Sequence, residues 1–299
     1  MSPAAQRGTP AGDATLAIQR LARQTGGDVQ ELQTLYVLEA LLARISASPY
    51  RDDFVLKGGV LLAAFTARRP TKDIDLRASR LSNEADDVAE RVRQIAAIDM
   101  PDGVIFDADA VTASEIREED QYSGIRAKLV GMLGRARITV GVDVNFGDPI
   151  WPEPELIDLP RIVDTGQPPV QVLGYPLSMV IAEKVVTAIA RGEANTRWRD
   201  FADVWTLTRA HALSAAEVWA SVQAVAEHRE VELVPLLPEL AAMPPRVQPT
   251  WRTWRDRSGW TTELPAEFAD VLTQLADFVD PVLRGAESGT WDPHAAAWT

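Results

Sequence analysis

The stretch FVLKGGVLLAAFTARRPTKDIDLR, residues 54–77, decides how the chain is read. Phe54 to Lys57 is a short apolar run of strand character, and Gly58 and Gly59 follow at once. VLLAAFTA then has the spacing of a compact helix, and a turn at Pro70 leads into a second strand, DIDLRA. The predicted order is strand, glycine turn, helix, strand. Glycines where a strand gives way to a helix let backbone N–H groups approach an anion with no Cβ in the way, so Gly58 and Gly59 are candidate phosphate-binding positions.

Asp73 lies fourteen residues past Gly59, and Asp75 follows two later. In a strand the period of two turns both carboxylates to one face, with Cα atoms roughly 7 Å apart. Two hard oxygen donors so placed suit Mg²⁺, and a pair of such ions roughly 4 Å apart can activate an attacking hydroxyl and hold a triphosphate for in-line transfer. Such a centre usually needs a third carboxylate. Asp143, inside the otherwise apolar strand ITVGVDVNFGD, is the natural donor, because burial without a compensating cation would cost several kcal/mol. Asp148, in the turn after Gly147, is a weaker candidate. Alone, a D-x-D is common on surface strands and a Gly-Gly pair is usually just a turn. Their order here, with a later strand acid, is more specific.

Outward from this stretch, apolar positions from Leu32 to Ile45 recur at helical spacing and predict a helix from about Asp28 to Ile45. The first twelve residues, rich in Pro, Gly and Ala, read as a flexible tail, with structure starting near Asp13. A polar helix is expected over about 83–97, then strands in VIFDADAV, GIRAKLVGML and ARITVGVDVNF. Strand character is expected to end there. Beyond the Pro-rich span from Pro152 to Pro176 the pattern is helical through LSMVIAEKVVTAIARG, RWRDFADVWTLTRAH, SAAEVWASVQAVAEH and AEFADVLTQLADFVDPVL. This predicts an α+β domain over 13–170 and a helical C-terminal domain over 171–299.

Thirty Lys and Arg against forty-three Asp and Glu leave 299 residues with a net charge of −13, which excludes a generally basic nucleic-acid coat. At 46% apolar residues the chain can bury a real core. Zero cysteines exclude disulfides, thiolate zinc sites and a cysteine nucleophile. Three scattered histidines argue against a His-based metal site or a Ser-His-Asp triad, which leaves carboxylates and lysines to carry any chemistry. No run approaches the roughly 20 apolar residues of a spanning helix. MSPAAQRGTPAGDA also lacks a signal peptide's apolar core, so no membrane partner is expected and the reading is cytoplasmic.

The pattern LKGG, thirteen residues, DID, with a strand aspartate downstream, resembles the polymerase-β nucleotidyltransferase superfamily. More narrowly, FVLKGGVLLAAF, RRPTKDIDL, IAEKVVTAIARG and RWRDFADVW resemble the AbiEii family of nucleotidyltransferase toxins, which includes the mycobacterial MenT toxins. The matching motifs run from about Phe54 to Trp205, and the last ninety or so residues add none. The resemblance implies a nucleotidyltransferase fold, with a small mixed sheet carrying the acids and a helical C-terminal half. It also implies Mg²⁺-dependent transfer of nucleotides from an NTP onto RNA, in characterised relatives the tRNA 3′ acceptor end, which would block translation. An AbiEi-like antitoxin is the implied partner. Carried over by position, Asp73 and Asp75 take the metal-binding places and Asp143 the third acid. Lys57 is the lysine before Gly-Gly, and Lys184 the lysine of the helical AEK. Asp200 and Asp203 form the KDxxD-like element, which begins here with Arg199 where the family often has Lys. The implied catalytic set is Lys57, Asp73, Asp75, Lys184 and Asp200, with Gly58, Gly59, Lys57, Lys184 and Asp203 toward the nucleotide.

The residues themselves leave alternatives open. Lys184, on a nearly all-apolar helix with Leu177, Val180, Ile181 and Ala188, is either a phosphate-neutralising ammonium or the partner of a buried acid. Asp200 and Asp203 share a face distinct from the core stripe of Trp198, Phe201 and Trp205. They could orient Lys184, Lys57 or the acceptor hydroxyl, or simply complement the helix dipole. Arg68, Arg69, Lys72, Arg77 and Arg80 crowd the D-x-D strand and Arg191, Arg197 and Arg199 the second motif, so a basic cleft in an acidic body is conceivable. RVQPTWRTWRDRSGW interleaves Arg246, Arg252, Arg255 and Arg257 with Trp251, Trp254 and Trp260. It reads as a Pro-bounded connector with packed tryptophans in preference to a base-stacking surface. The competing functions are a small-molecule nucleotidyltransferase of the aminoglycoside-modifying kind and a non-catalytic nucleotide- or partner-binding module.

Overall fold

The computed structural model describes residues 6–65, 71–116, 124–147, 149–257, 264–286 and 288–299. They form two compact units. Among the described residues, the first holds those up to Tyr175 except Phe65 and 149–153, which belong with Pro176–Thr299 in the second.

The first unit opens with α1 (Pro10–Thr25), so residues 10–12, expected in a flexible tail, are the first turn of a helix. The reason is local. Thr9 is the N-cap, its hydroxyl accepting from the Gly12 N–H, and Pro10 takes the first helical position where a missing N–H costs nothing. Composition alone hides that start signal. Next comes α2 (Val29–Ala47), capped by Asp28, whose side chain accepts from the Glu31 N–H at 2.8 Å. Leu35, Val37, Leu38, Leu41, Leu42 and Ile45 are all buried, so α2 is an interior helix.

Around α2 stand β1 (Phe54–Lys57), α3 (Gly58–Leu61) continued as a 3₁₀ turn (Leu62–Phe65), β2 (Asp73–Ala78), α4 (Ala85–Ala96), β3 (Val104–Phe106), β4 (Thr112–Ile116), β5 (Gly124–Leu133), β6 (Ala136–Phe146), β7 (Glu155–Leu159) and β8 (Val170–Gly174). The sheet order is β3-β5-β6-β2-β1-β8-β7, with β4 also pairing β5. β2 runs parallel to β6 and β1 parallel to β8, and the other pairs are antiparallel. Alternation sorts the two faces. Ile74, Leu76 and Ala78 of β2 are buried, while Asp73, Asp75 and Arg77 are half-buried on the other side. Leu56, Val142 and Val144 share the buried face, where α2 packs against β6 and β8. Each such aliphatic side chain contributes about 1.5–3 kcal/mol by leaving water.

Two strands lie in the Pro-rich span where strand character was expected to have ended. VQVLG is too short, and too close to prolines, to show a period. It becomes β8 because the sheet edge beside β1 is available to it, with Leu56 opposite Gly174. The boundary between units accordingly falls at Tyr175–Pro176, a few residues past the expected 170–171.

The second unit contains α5 (Leu177–Arg191), α6 (Trp198–Ala210), α7 (Ala215–His228), α8 (Leu236–Glu239), α9 (Met243–Arg257) and α10 (Phe268–Leu283). It is not all-helical. A small antiparallel sheet, order β11-β10-β9, joins β9 (Leu213–Ser214), β10 (Thr290–Asp292) and β11 (Ala297–Trp298). Trp291 at its centre is fully buried, and its indole N–H donates to the Thr208 carbonyl at 2.7 Å. Residues 246–257 of the Arg/Trp segment lie in the helix α9 and not in a connector. Trp251 is fully buried, edge-on to Phe268 at 5.5 Å, with its N–H on the Pro265 carbonyl, while Arg246, Arg252 and Arg257 face outward. Trp260 lies outside the described residues. No helix among the described residues is long and apolar enough to cross a membrane.

Candidate active site

The parallel register of β2 and β6 places Asp75 opposite Asp143, and the antiparallel register of β1 and β2 places Lys57 opposite Asp75. The β5–β6 hairpin adds a fourth member. Its two-residue turn, Gly134–Arg135, pairs Leu133 with Ala136, and that register sets Arg126 opposite Asp143. One row across four strands therefore reads Lys57, Asp75, Asp143, Arg126, with the two acids inside and a cation at each end. Asp73 stands on the same face two residues before Asp75. Its carboxylate leans across Gly141 of β6, where a Cβ would lie 2.1 Å from Oδ1. The sheet thus puts Asp73, Asp75, Asp143 and Lys57 on one face, Lys57 and Asp143 buried and Asp73 and Asp75 half-buried.

Asp143 is not waiting for a ligand. Arg126 grips it at both oxygens, Nε to Oδ1 at 2.7 Å and Nη2 to Oδ2 at 2.5 Å, and the Asp143 side chain is only 12% exposed. The hydrogen bonds donated to Asp143 raise the guanidinium pKa, burial opposes them, and the charges of Asp143, Asp73 and Asp75 add to the rise. All three carboxylates thus act on this one cation. Among the described residues no three His, Asp or Glu side chains converge as a metal-ligating group, so the expected third metal ligand is in this structure an ion-pair partner. Asp73 and Asp75 remain two hard oxygen donors on one strand face, a set that fits a divalent cation.

Gly58 has φ +67, and a Cβ on it would lie 1.9 Å from Asp75 Oδ2. Its first role is thus to make room for the acid. The helix it opens is a single turn followed by 3₁₀, too short for the macrodipole at its N-terminus to hold an anion. The Lys57 side chain is buried, with its ammonium 5.4 Å from the centre of the Tyr175 ring. Of the arginines expected around this strand, Arg80 pairs instead with Asp53 at 2.9 Å, and Arg68 and Arg69 lie outside the described residues. So does Asp148.

In the second unit the helical motifs α5 and α6 bring Lys184, Asp200 and Asp203 together. The Lys184 ammonium donates to Asp200 Oδ1 at 2.8 Å and to Asp203 Oδ2 at 2.7 Å, and Arg197 donates to the other oxygen of Asp200 at 2.7 Å. Side-chain exposure is 11% for the lysine, 7% for Asp200 and 1% for Asp203, so this is a buried charge cluster with α6 orienting the α5 lysine. Arg199, in the family's lysine place, is exposed.

Sequence reasoning missed Arg126. The signal was present: Arg126 and Lys128 share a strand face in GIRAKLVGML, and the turn LGRA fixes their register against ITVGVDVNF. It also missed two buried ion pairs that hold the scaffold. Arg44, 2% exposed, binds Asp102 and the carbonyls of Ala40, Ile98 and Val104, and Glu39 accepts from Arg161 and the Ile162 N–H.

The family of the chain comes from comparison of its sequence with known proteins. Residues 40–277 match the family described as "Nucleotidyl transferase AbiEii toxin, Type IV TA system". The chain belongs to this family: it is a nucleotidyltransferase, and within that class an AbiEii-type toxin of a toxin–antitoxin system. Among solved structures it is similar to JHP933 from Helicobacter pylori, with 15% identity, 87% of this chain and 94% of that one covered, and a TM-score of 0.47. It is also similar to MenT4, a nucleotidyltransferase toxin from Mycobacterium tuberculosis H37Rv, with 18% identity, 91% and 99% covered, and a TM-score of 0.45. Comparison with curated proteins gives no match.

Proposed function

We propose that the protein transfers nucleotides from an NTP to the 3′ acceptor end of tRNA, in a Mg²⁺-dependent reaction that stops translation, and that an antitoxin partner restrains it. The observation that carries the chemistry is the pair Asp73 and Asp75, half-buried on one strand face, with Lys57 and Asp143 in the adjoining strands. Asp73 and Asp75 would hold the metal, with Asp143 beside them. When bound, the metal supplies charge neutralisation for the triphosphate and acidifies the attacking hydroxyl.

This chain's own residues do the rest. Lys57, at the end of the acid row, offsets its negative charge and offers an ammonium toward a phosphate. Gly58, with no Cβ, lets the Asp75 carboxylate sit against the backbone beside Lys57. Lys184, fixed by Asp200 and Asp203, presents a rigidly held ammonium of the kind that stabilises charge developing on a phosphoryl group. Family membership and this charge pattern together support the reading over a binding module.

The test is incubation of the purified protein with total tRNA, Mg²⁺ and each α-labelled NTP in turn, beside Asp73→Ala. Label on tRNA 3′ ends that vanishes in the variant is the expected result, with a loss of about 10²–10³-fold from removing one metal-binding carboxylate. No label with any NTP would overturn the tRNA assignment. Equal label in the variant would overturn the role of Asp73.

A further inference from the structure

We propose that Arg126 is a resident counter-cation of the acid face, which a divalent metal must displace from Asp143 before all three carboxylates can serve the metal. This deepens the reading of Asp73, Asp75 and Asp143 as the metal site and rests on it. Three observations carry it. The Arg126–Asp143 pair is bidentate, at 2.7 and 2.5 Å, so each oxygen that would reach a metal already holds a strong charged donor with which the metal must compete. The pairing is set by the backbone, since Arg126 and Asp143 are direct cross-strand partners. The guanidinium is also the more exposed member, the Arg126 side chain being 39% exposed against 12% for Asp143, so solvent is open to it while the acid stays in the strand.

Electrostatics give the arrangement its purpose. Asp73, Asp75 and Asp143 lie on adjacent strands of one face, and three like charges there repel one another unless a cation is near. Without metal, Arg126 keeps the face folded and charge-balanced. With metal, it competes for Asp143 and lowers the apparent affinity of the site. Arg126 is thus a positioning residue, acting through Asp143.

The test is Mn²⁺ titration of the purified protein, followed by electron paramagnetic resonance and by thermal melting, with no nucleotide or RNA present. Arg126→Gln removes the competitor and one positive charge, and is expected to bind Mn²⁺ about tenfold more tightly or better than the natural chain. It should also melt lower without metal and gain more melting temperature on adding it. Arg126→Lys keeps the charge but replaces the two-pronged grip with a single point contact, so its affinity should fall between the two. This variant carries the test alone if Arg126→Gln does not fold. Binding that is lost in Asp73→Asn but not tightened in either Arg126 variant would overturn the displacement while leaving the metal site standing. No Mn²⁺ binding by any of these proteins would overturn the metal site and the displacement with it. Binding by Arg126→Gln alone would support both.

Discussion

Gly58 and Asp75 occupy the same space in turn: a Cβ on the glycine would lie 1.9 Å from the carboxylate Oδ2, and the glycine backbone is left-handed at φ +67. The sequence order of glycine pair and D-x-D is therefore a contact as well as a motif. Gly58→Ala must both strain the backbone and push Asp75 out of the row it shares with Lys57 and Asp143. We expect a loss of about 2–3 kcal/mol in urea unfolding together with loss of transfer. Gly134→Ala, at φ +59 with nothing within 4 Å of its Cβ, should cost only about 1 kcal/mol and leave transfer intact. Equal stability losses in the two variants would show that crowding by Asp75 adds nothing.

Lys184→Ala leaves Asp200 and Asp203 buried with their shared ammonium gone. Removing one partner from a buried charge cluster costs about 3–5 kcal/mol, and the lower end applies because Arg197 still holds Asp200. The sequence left two readings of this lysine, a phosphate-neutralising ammonium and the partner of a buried acid; the geometry shows the acid partners, and a melting curve measures what they contribute. Lys184→Ala combined with Asp203→Asn should recover much of the stability but none of the transfer, which separates the structural role from the chemical one.

Tyr36 gives the alkaline limit of the first unit. Its hydroxyl donates to the Asp102 carbonyl at 2.8 Å. Burial first, and then the charges of Asp102 and Glu39, push its pKa up to about 12, against the opposing pull of Arg161 and Arg44. The folded chain holds this proton more tightly than the unfolded chain, whose tyrosines titrate near 10. The resulting stabilisation is complete below about pH 10 and is lost as pH climbs toward about 12. Stability measured from pH 9 to 12 should fall more steeply in the natural chain than in Tyr36→Phe. Parallel curves would exclude Tyr36 as the cause.

The two residue types of α9 separate cleanly by role. Trp251→Ala empties a fully buried site and removes the bond to Pro265, at a cost of about 3–5 kcal/mol. Arg252→Ala and Arg246→Ala, both exposed, should stay within about 0.5 kcal/mol of the natural chain. Any effect of these arginines on tRNA affinity, read by filter binding at rising salt, would then be electrostatic.

What the sequence disclosed followed from local periods. Asp73 and Asp75 on one strand face, the helix α2 and the shared face of Asp200 and Asp203 were legible because strand and helix repeats orient side chains within one element, while the meeting of that face with Lys184 was one of several readings left open. What it concealed depended on partners distant in the chain. β8 exists because β1 offers an edge, and the small sheet around Trp291 forms between segments too short to show a period. Arg126 sat between the two kinds, since its partner is fixed by a two-residue turn that could have been read. The start of α1 was hidden for a different reason: Thr9 and Pro10 act by position, while composition averages position away.

That turn, Gly134–Arg135, is in effect the index mark of the acid face. It lies about 24 Å of extended strand away from Arg126 and yet decides which residue meets Asp143. One extra residue there that slipped the hairpin by a single step would turn Arg126 to the helix-packed side and bring a neighbour of the wrong kind to the open one. The length of a surface turn is thus a chemical parameter of this protein, and a loop swap that would be harmless elsewhere amounts here to an edit of the acid face.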